Sequence, residues 1–274
     1  MEGEGAPNHR ILALRTPTLP PATTTNTWLV WGERVAVVEP ATPYEDEQRR
    51  LLDAIEALRS EGRPVAAILL THHHADHVGF ARALAERVGA PVAAHRATAE
   101  RIDVPVDLLL GDGDVVDLGG GVRLDAVWTP GHAPGHLLFV DRARGIAHAG
   151  DLVAGEGTIL VDPDDDGDMG AYLASLRRVR QMGLERLVPA HGPVQDDPAG
   201  LLDHYVTHRL MRERKVTDAL AARPRTLDEI LPEVYDDVPR ALYPLARRSL
   251  RAHVDKLAAE GRVAVRGDHL RLEG

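Results

Sequence analysis

The spacing of hydrophobic residues varies along the chain, and this variation predicts where its strands and helices lie. Short apolar runs such as "TNTWLVWG", "RVAVVEP" and "PVAAILL" have the composition of strands. They alternate with stretches such as "YEDEQRRLLDAIEALRSEG" and "VGFARALAERVG", in which apolar residues recur at helical spacing. This alternation predicts an α/β fold in which sheets are covered by helices.

The same alternation continues towards residue 195. The segments "VRLDAVWTPGH", "HLLFVD" and "GIAHAGDLV" read as three strands in series. A helix is expected at "MGAYLASLRRVRQMG", followed by a strand at "RLVPAH". We therefore predict a catalytic domain over residues 1–195.

Residues 196–274 have a different pattern. A long charged helical stretch precedes a short helix, "TLDEILPEVY", for which Thr226 is the expected N-cap. The amphipathic stretch "LARRSLRAHVDKLAAEG" comes next, and a hairpin should turn at Gly267 and Asp268. Three helices and a two-stranded ribbon predict a helical linker followed by a small winged-helix domain.

Composition narrows the class of protein. The chain has 274 residues and no cysteine, so any bound metal must be held by nitrogen and oxygen ligands. No apolar run approaches the roughly 20 residues that span a bilayer, and the first residues do not resemble a secretory signal. We expect a cytoplasmic protein without a membrane partner.

Charge is divided unevenly along the chain. The net charge of the chain is −10, although residues 201–274 carry +2 and the first 200 residues therefore carry −12. An acidic body does not favour an electrostatic track for nucleic acid. A small-molecule substrate is the expected partner, with RNA and a second copy of the chain as alternatives.

A histidine-rich segment follows the run "AAILL". His72 and His74 are two positions apart just beyond a strand, so their side chains should point the same way and that of His73 elsewhere. Asp76 and His77 follow where the chain bends into a helix and can face a second point nearby. The segment predicts two pairs of metal ligands, and a loop without ligands is the alternative.

Three further segments supply residues of the same chemical kind. His132 lies in "TPGHAPGH", Asp151 in "AHAGDLV" and His191 in "VPAHGP", each after a predicted strand. Imidazole and carboxylate groups suit divalent zinc, manganese or iron. His136, in the first of these segments, is interpreted as a supporting residue rather than a ligand.

The series "THHHADH", "TPGHAPGH", "AGD" and "PAHGP" resembles the metallo-β-lactamase superfamily in its glyoxalase II-like branch. The resemblance implies an αββα sandwich with two divalent metal ions, Zn²⁺ foremost and Mn²⁺ or Fe²⁺ as alternatives. It implies that a first metal is bound by His72, His74 and His132. It also implies that Asp76, His77 and His191 bind a second metal, and that Asp151 bridges both.

The C-terminal part resembles the β-lactamase-like protein 2 group. The resemblance is carried by "YVTHRLMRERKV" and the predicted winged helix. His208 and Arg209 follow the catalytic domain on a helix that could fold back over the metal cleft, so we expect them to contact substrate. Members of that group include hydrolases, a single-strand endoribonuclease and fungal polyketide thioesterases. The chain departs from the family at "VVEPATP", where Glu39 stands in place of the usual aspartate.

The expected reaction is hydrolysis of a small ester or thioester by a hydroxide held between the two metals. Asp76 has a second oxygen that could orient this nucleophile and accept its proton, which makes it the predicted catalytic residue. A bridging Asp151 is typical of thioesterase and phosphodiesterase branches and disfavours a true β-lactamase. The alternatives are an endoribonuclease, a non-enzymatic nucleic-acid-binding protein and a mono-iron persulfide dioxygenase.

Overall fold

A computed structural model of the chain describes residues 8–273, which form two compact units. The first contains residues 8–129, 135–158 and 182–199, and the second contains residues 130–134, 159–181 and 200–273. The predicted boundary between residues 195 and 196 stays a prediction. Residues 1–7, on which the expected lack of a secretory signal depended in part, lie outside the described residues.

The first unit contains a six-stranded sheet whose strands follow one another in chain order. The first three strands pair antiparallel and the last three extend the sheet by parallel pairing. The strands are β1 (His9–Arg15), β2 (Thr24–Trp31), β3 (Val35–Val38), β4 (Val65–Leu69), β5 (Val92–Ala94) and β6 (Leu108–Leu109).

A five-stranded sheet completes the strand content of the first unit. Its order is β11-β10-β9-β8-β7, with parallel pairing only between β10 and β11. The strands are β7 (Val115–Gly119), β8 (Val122–Trp128), β9 (Leu137–Asp141), β10 (Ile146–Gly150) and β11 (Arg186–Pro189).

Helices connect the parallel strands of the first sheet. They are α1 (Glu45–Ser60), α2 (Ala75–Val78), α3 (Ala81–Val88) and α4 (Arg96–Ala99). Helix α1 has three acidic residues in its first turn, where carboxylates favour the positive end of the helix dipole. Helix α3 ends at Gly89, whose φ of 68° is the left-handed conformation that glycine adopts most easily.

Two hydrophobic layers hold the first unit together. One lies between the sheets, where Trp28 and Leu69 of the first sheet meet Leu124 and Phe139 of the second. The other packs α1 and α3 against the opposite face of the first sheet. Both sheets are thus placed so that their strand ends can present polar side chains at one edge.

The second unit contains the predicted winged helix. Its helices are α5 (Met169–Arg180), α6 (Pro198–Leu220, apart from the first two residues), α7 (Leu227–Val234) and α8 (Tyr243–Ala259). A small sheet is formed by β12 (Arg225–Thr226), β13 (Val263–Arg266) and β14 (His269–Leu272).

The sequence explains how this unit is organised. Thr226 caps α7, and its hydroxyl and the Glu229 carboxylate satisfy each other's backbone N–H groups in a capping box. A separate core, which includes Leu250 and Leu257 of α8, holds the helices to the ribbon. The predicted cap and the hairpin turn at Gly267 and Asp268 are confirmed. Among the helices described, none has the length and apolar content that crossing a bilayer would require.

Candidate metal centre

Four predicted ligands of the first unit come together at the ends of its strands. Asp76 and His77 lie on α2, shortly after β4, while Asp151 follows β10 and His191 follows β11. His77 Nε2 lies 3.6 Å from Asp76 Oδ1 and 3.6 Å from Asp151 Oδ2. His191 Nε2 lies 3.5 Å from Asp76 Oδ2 and 3.6 Å from Asp151 Oδ1.

These separations fit ligands that share an ion. They exceed the upper limit of about 3.2 Å for ordinary N–H···O hydrogen bonds. Tetrahedral ligands bound at about 2.0 to 2.2 Å are about 3.4 Å apart, which is close to the observed spacing. His77 Nε2 is buried and has no hydrogen-bond partner, so it needs a cation or another donor to compensate its lost hydration. The donor set therefore fits a divalent metal.

Oxygen atoms on the Nδ1 side of His77 and His191 orient the two imidazole rings. His77 Nδ1 lies 2.9 Å from Glu39 Oε1, and His191 Nδ1 lies 2.9 Å from the Thr24 carbonyl oxygen. Because these oxygens accept hydrogen bonds, each Nδ1 carries a proton, and Nε2 is the atom that would give up any proton to a metal. Both Nε2 atoms can then bind a metal.

Glu39 supports the centre although it replaces the aspartate usual in the family. Its carboxylate is fully buried and accepts a short hydrogen bond from the Thr71 hydroxyl as well as that from His77. Its backbone has a φ of 57°, a region that non-glycine residues rarely adopt. Hydrogen bonds from Glu39 N–H to Leu69 O and from the Thr27 hydroxyl to Glu39 O hold this conformation.

Neighbouring groups of opposite charge stabilise the ionised forms of Glu39, His77 and Asp76 despite their burial. Burial opposes ionisation of Glu39, but the neighbouring His77 and His148 hold the pKa of its carboxyl below the usual value. Burial likewise opposes protonation of His77, but Glu39 and Asp151 hold its pKa well above the usual value. Burial also opposes ionisation of Asp76, and His191 and His77 outweigh it to keep the pKa of Asp76 low. The centre thus attracts positive charge.

Asp151 is positioned by the glycine before it and by His136. The backbone N–H of Asp151 donates to His136 Nε2 at 3.0 Å, and His136 Nδ1 lies 2.8 Å from the Thr129 hydroxyl. A side chain at Gly150 would come within 2.8 Å of the Thr71 hydroxyl, and φ there is 48°. Only glycine allows this approach without strain. These contacts agree with the supporting role predicted for His136.

The predicted ligands of the first metal lie in both units. In the first unit, His72 Nε2 and His74 Nδ1 are 2.8 Å apart, and His72 Nδ1 is 2.9 Å from the Thr71 hydroxyl. In the second unit, His132 Nδ1 donates to the Leu160 carbonyl oxygen at 2.7 Å, so its Nε2 carries the lone pair. Their joint binding of one metal, and the outward direction of His73, stay predictions.

The residues predicted to contact substrate lie in the second unit. The guanidinium of Arg209 is buried, donates to the Ile159 carbonyl oxygen and lies 5.3 Å from the centre of the Tyr172 ring. Burial and the charges of Arg209 and Arg212 lower the pKa of His208 to about 4. These contacts give Arg209 a packing role, and its substrate role and that of His208 stay predictions.

Family models match both parts of the chain. Residues 20–191 match the metallo-beta-lactamase superfamily, and residues 226–271 match the beta-lactamase associated winged helix domain. Since the first match covers more than half of the chain, it establishes the family. It confirms the predicted αββα metallo-β-lactamase fold class with a C-terminal winged helix.

Individual relatives agree with this assignment. The chain is 29% identical over 256 residues to a beta-lactamase-like protein 2 homolog of Drosophila melanogaster, covering 88% of this chain and 84% of the relative. It is 33% identical over 217 residues to an atrochrysone carboxyl ACP thioesterase of Aspergillus chevalieri, covering 73% and 65%. A crystal structure of a metallo-beta-lactamase family protein from Thermus thermophilus is 25% identical with a TM-score of 0.78, covering 97% and 99%.

Proposed function

The chain belongs to the metallo-β-lactamase superfamily and is a metal-dependent hydrolase, and we propose that it uses two divalent metals to hydrolyse a small ester or thioester. The observation that carries the proposal is the position of Asp151. Its two carboxylate oxygens face His77 and His191 separately, each at 3.6 Å. These contacts place Asp151 beside the ligands proposed for the second ion, and its bridge to the first ion is part of the proposal.

We assign the ligands as the sequence predicts them. His72, His74 and His132 would hold the first ion, Asp76, His77 and His191 the second, and Asp151 both. When bound, two such ions would supply an activated water and polarise the oxygen of the scissile bond. Zn²⁺ is the proposed metal, since nitrogen and oxygen ligands of this kind suit it.

Asp76 is the proposed catalytic residue among these ligands. Its side chain is 20% exposed, whereas those of His77 and His191 are 0% and 8% exposed. The low pKa of Asp76 keeps it ionised at neutral pH, so it can accept a hydrogen bond from an attacking water and orient it. Glu39 and Thr24 hold the imidazoles of His77 and His191 from behind, whereas Asp76 is the more exposed side chain and is the one proposed to meet the attacking water.

A thioester is favoured over a phosphodiester by two observations. A relative that shares 33% identity carries the name of a thioesterase. In the second unit, the exposed arginines of α8 are paired with acidic residues: Arg247 with Asp228 at 2.6 Å, Arg248 with Asp162 at 2.9 Å and Arg251 with Asp164 at 2.6 Å. Arginines neutralised in this way offer little free charge to RNA phosphates.

A hydrolysis panel with the metal-reconstituted protein tests the proposal. Acyl thioesters, esters, lactones, β-lactams, phosphodiesters and single-stranded RNA should be compared at equal enzyme concentration. We expect turnover of a thioester or ester that is lost on chelation and restored by metal. Cleavage of RNA with no turnover of any ester or thioester would contradict the proposal.

A further inference from the structure

The first four residues of β2 are polar and, in large part, buried. Thr25, Asn26 and Thr27 are 0%, 4% and 0% exposed. A polar side chain in the interior is costly unless it is hydrogen-bonded, so its partners indicate why it is there. The partners of this segment, Thr24–Thr27, include the turns that carry the ligands proposed for the second metal.

The segment holds the turn of His191 from both sides. Asn26 Nδ2 donates to the Pro189 carbonyl oxygen at 2.9 Å and to the Gly192 carbonyl oxygen at 2.8 Å. The Asn26 backbone N–H donates to Ala190 O at 2.7 Å. The Thr24 carbonyl oxygen accepts from His191 Nδ1, so one short segment fixes both the turn and the tautomer.

The two threonines reach the other two ligands. The Thr25 hydroxyl donates to the backbone carbonyl of Asp76 at 2.9 Å. The Thr27 hydroxyl donates to the backbone carbonyl of Glu39 at 2.7 Å, and the Glu39 carboxylate in turn accepts from His77 Nδ1. His72, proposed for the first metal, contacts the Thr71 hydroxyl and is thus one step further from the segment, through the Glu39 carboxylate.

We propose that Thr24–Thr27 is a positioning scaffold for the second metal, and that Asn26 is its main residue. The inference rests on the proposed two-metal function. Asn26 contributes most because its two side-chain donors hold the carbonyls on either side of His191. Partners that orient metal ligands typically change metal affinity by about 10- to 100-fold when removed. The scaffold should therefore act on one metal and spare the other.

Metal titration of the metal-free full-length chain with Zn²⁺ tests the scaffold. His191→Ala serves to identify the second ion. Since His191 is a proposed ligand of that ion alone, the ion whose binding this variant weakens or abolishes is the second one. Asn26→Ala should raise the Kd of this ion by about 10-fold or more and change the Kd of the other by less than about twofold. Thr25→Val and Thr27→Val should shift the same ion in the same direction by a smaller factor.

Thr98→Val is the matched control. Thr98 is also fully buried and its hydroxyl donates to a backbone carbonyl, that of Gly135, at 3.1 Å. This variant undergoes the same chemical change as the two strand variants and should leave the Kd of the second ion unchanged. Circular dichroism of each metal-free variant shows whether it is folded. If Asn26→Ala is unfolded, the isosteric Thr25→Val and Thr27→Val decide the test.

The outcomes separate this inference from the proposed function. Equal weakening of both ions, or no weakening of the ion marked by His191→Ala, would overturn the scaffold even if the wild type hydrolyses thioesters. A wild type that binds a single ion would overturn the two-metal function. The scaffold would then stand only if Asn26→Ala weakens the ion that His191→Ala removes. If His191→Ala removes no ion, both proposals fail.

Discussion

The turn after β4 and the exposed side of α8 are both rich in chargeable side chains, but they arrange them differently. In the turn, Asp76 and His77 present atoms that converge with those of Asp151 and His191 at 3.5 to 3.6 Å. On α8, Arg247 and its neighbours each have a carboxylate at 2.6 to 2.9 Å. The first group has the spacing of ligands around an ion, and the second is neutralised in pairs.

This difference shows that the density of charged residues does not by itself indicate a site. Exposed ion pairs such as Arg251 with Asp164 contribute about 0 to 1 kcal/mol to stability and have little consequence for chemistry. A buried imidazole nitrogen without a hydrogen-bond partner, as on His77, is costly unless a ligand compensates it. Convergence and burial therefore distinguish the candidate metal centre from the paired charges of α8.

The largest expected effect follows from Asp151→Ala. Loss of the proposed bridge should remove at least one metal and lower kcat/KM by roughly a thousandfold, equal to about 4 kcal/mol of transition-state stabilisation. Metal content per chain and thioester turnover are the measurements. Asp196→Ala, which changes an exposed aspartate paired with Arg186, is the control. Retention of two metals with full activity in Asp151→Ala would sink the bridging role.

A second effect concerns the buried side of α8. Burial lowers the pKa of His253 to about 4, and Glu213 opposes this only in part. The unfolded chain then binds more protons than the folded chain between about pH 6.5 and 4, so stability is lost as pH falls through that window. At pH 4.5 the loss due to His253 should be about 2 to 3 kcal/mol relative to pH 7.5.

Denaturant unfolding of the metal-free chain at the two pH values measures this loss. His253→Gln should lose less stability on acidification than the wild type by that amount. His269→Gln, in the exposed hairpin of the same unit, should behave like the wild type. Equal pH dependence of His253→Gln and the wild type would show that His253 is not held neutral by burial.

A third effect concerns Glu39. Glu39→Gln keeps the length of the side chain but removes the charge that holds His77, so metal binding should weaken by about 10- to 100-fold. Titration with Zn²⁺ provides the Kd values. Glu47→Gln removes a similarly buried carboxylate that is paired with Arg15 and Arg50, and it should not change metal affinity. An equal change in both variants would mean that the effect is one of general stability.

The smallest effect is expected on α8. Arg247→Ala combined with Arg251→Ala should change thioester turnover by less than about twofold, since both side chains are paired with acids. Binding of a single-stranded RNA should be weak and should gain strength and salt dependence when Asp164 and Asp228 are changed to Asn. If the wild type binds RNA strongly and with salt dependence, and the double arginine variant does not, the arginines of α8 form a nucleic-acid site despite their acidic partners.

Much of the fold could be predicted from hydrophobic spacing. Strands β2, β3 and β4 lie in short apolar runs, and helices α1 and α8 lie where apolar residues recur at helical spacing. The sequence did not predict that residues 130–134 and 159–181 group with the C-terminal part. This grouping depends on packing between segments that are distant along the chain. Strand β1 was not predicted either, because buried and exposed residues alternate only over its last four positions.

Four of the predicted ligands converge as the sequence indicated, whereas the groups that support them were not predicted. Histidine and aspartate after predicted strands indicated a metal, since imidazole and carboxylate groups are the ligands that divalent zinc, manganese or iron accepts. The role of Glu39 could not be predicted, because its contact with His77 depends on a backbone φ of 57°. Thr25 and Asn26 were read only as strand residues. The one available signal was their polarity within an otherwise apolar strand.

Metal stoichiometry of the wild-type chain is the decisive measurement for a two-metal centre. The metal-free protein should be titrated with Zn²⁺ under a competing chelator, and bound metal should be measured per chain by mass spectrometry. The two sets of ligands predict two ions per chain, both of which are required for thioester hydrolysis. A single ion per chain that supports full activity, or activity that survives complete removal of metal, would contradict the account.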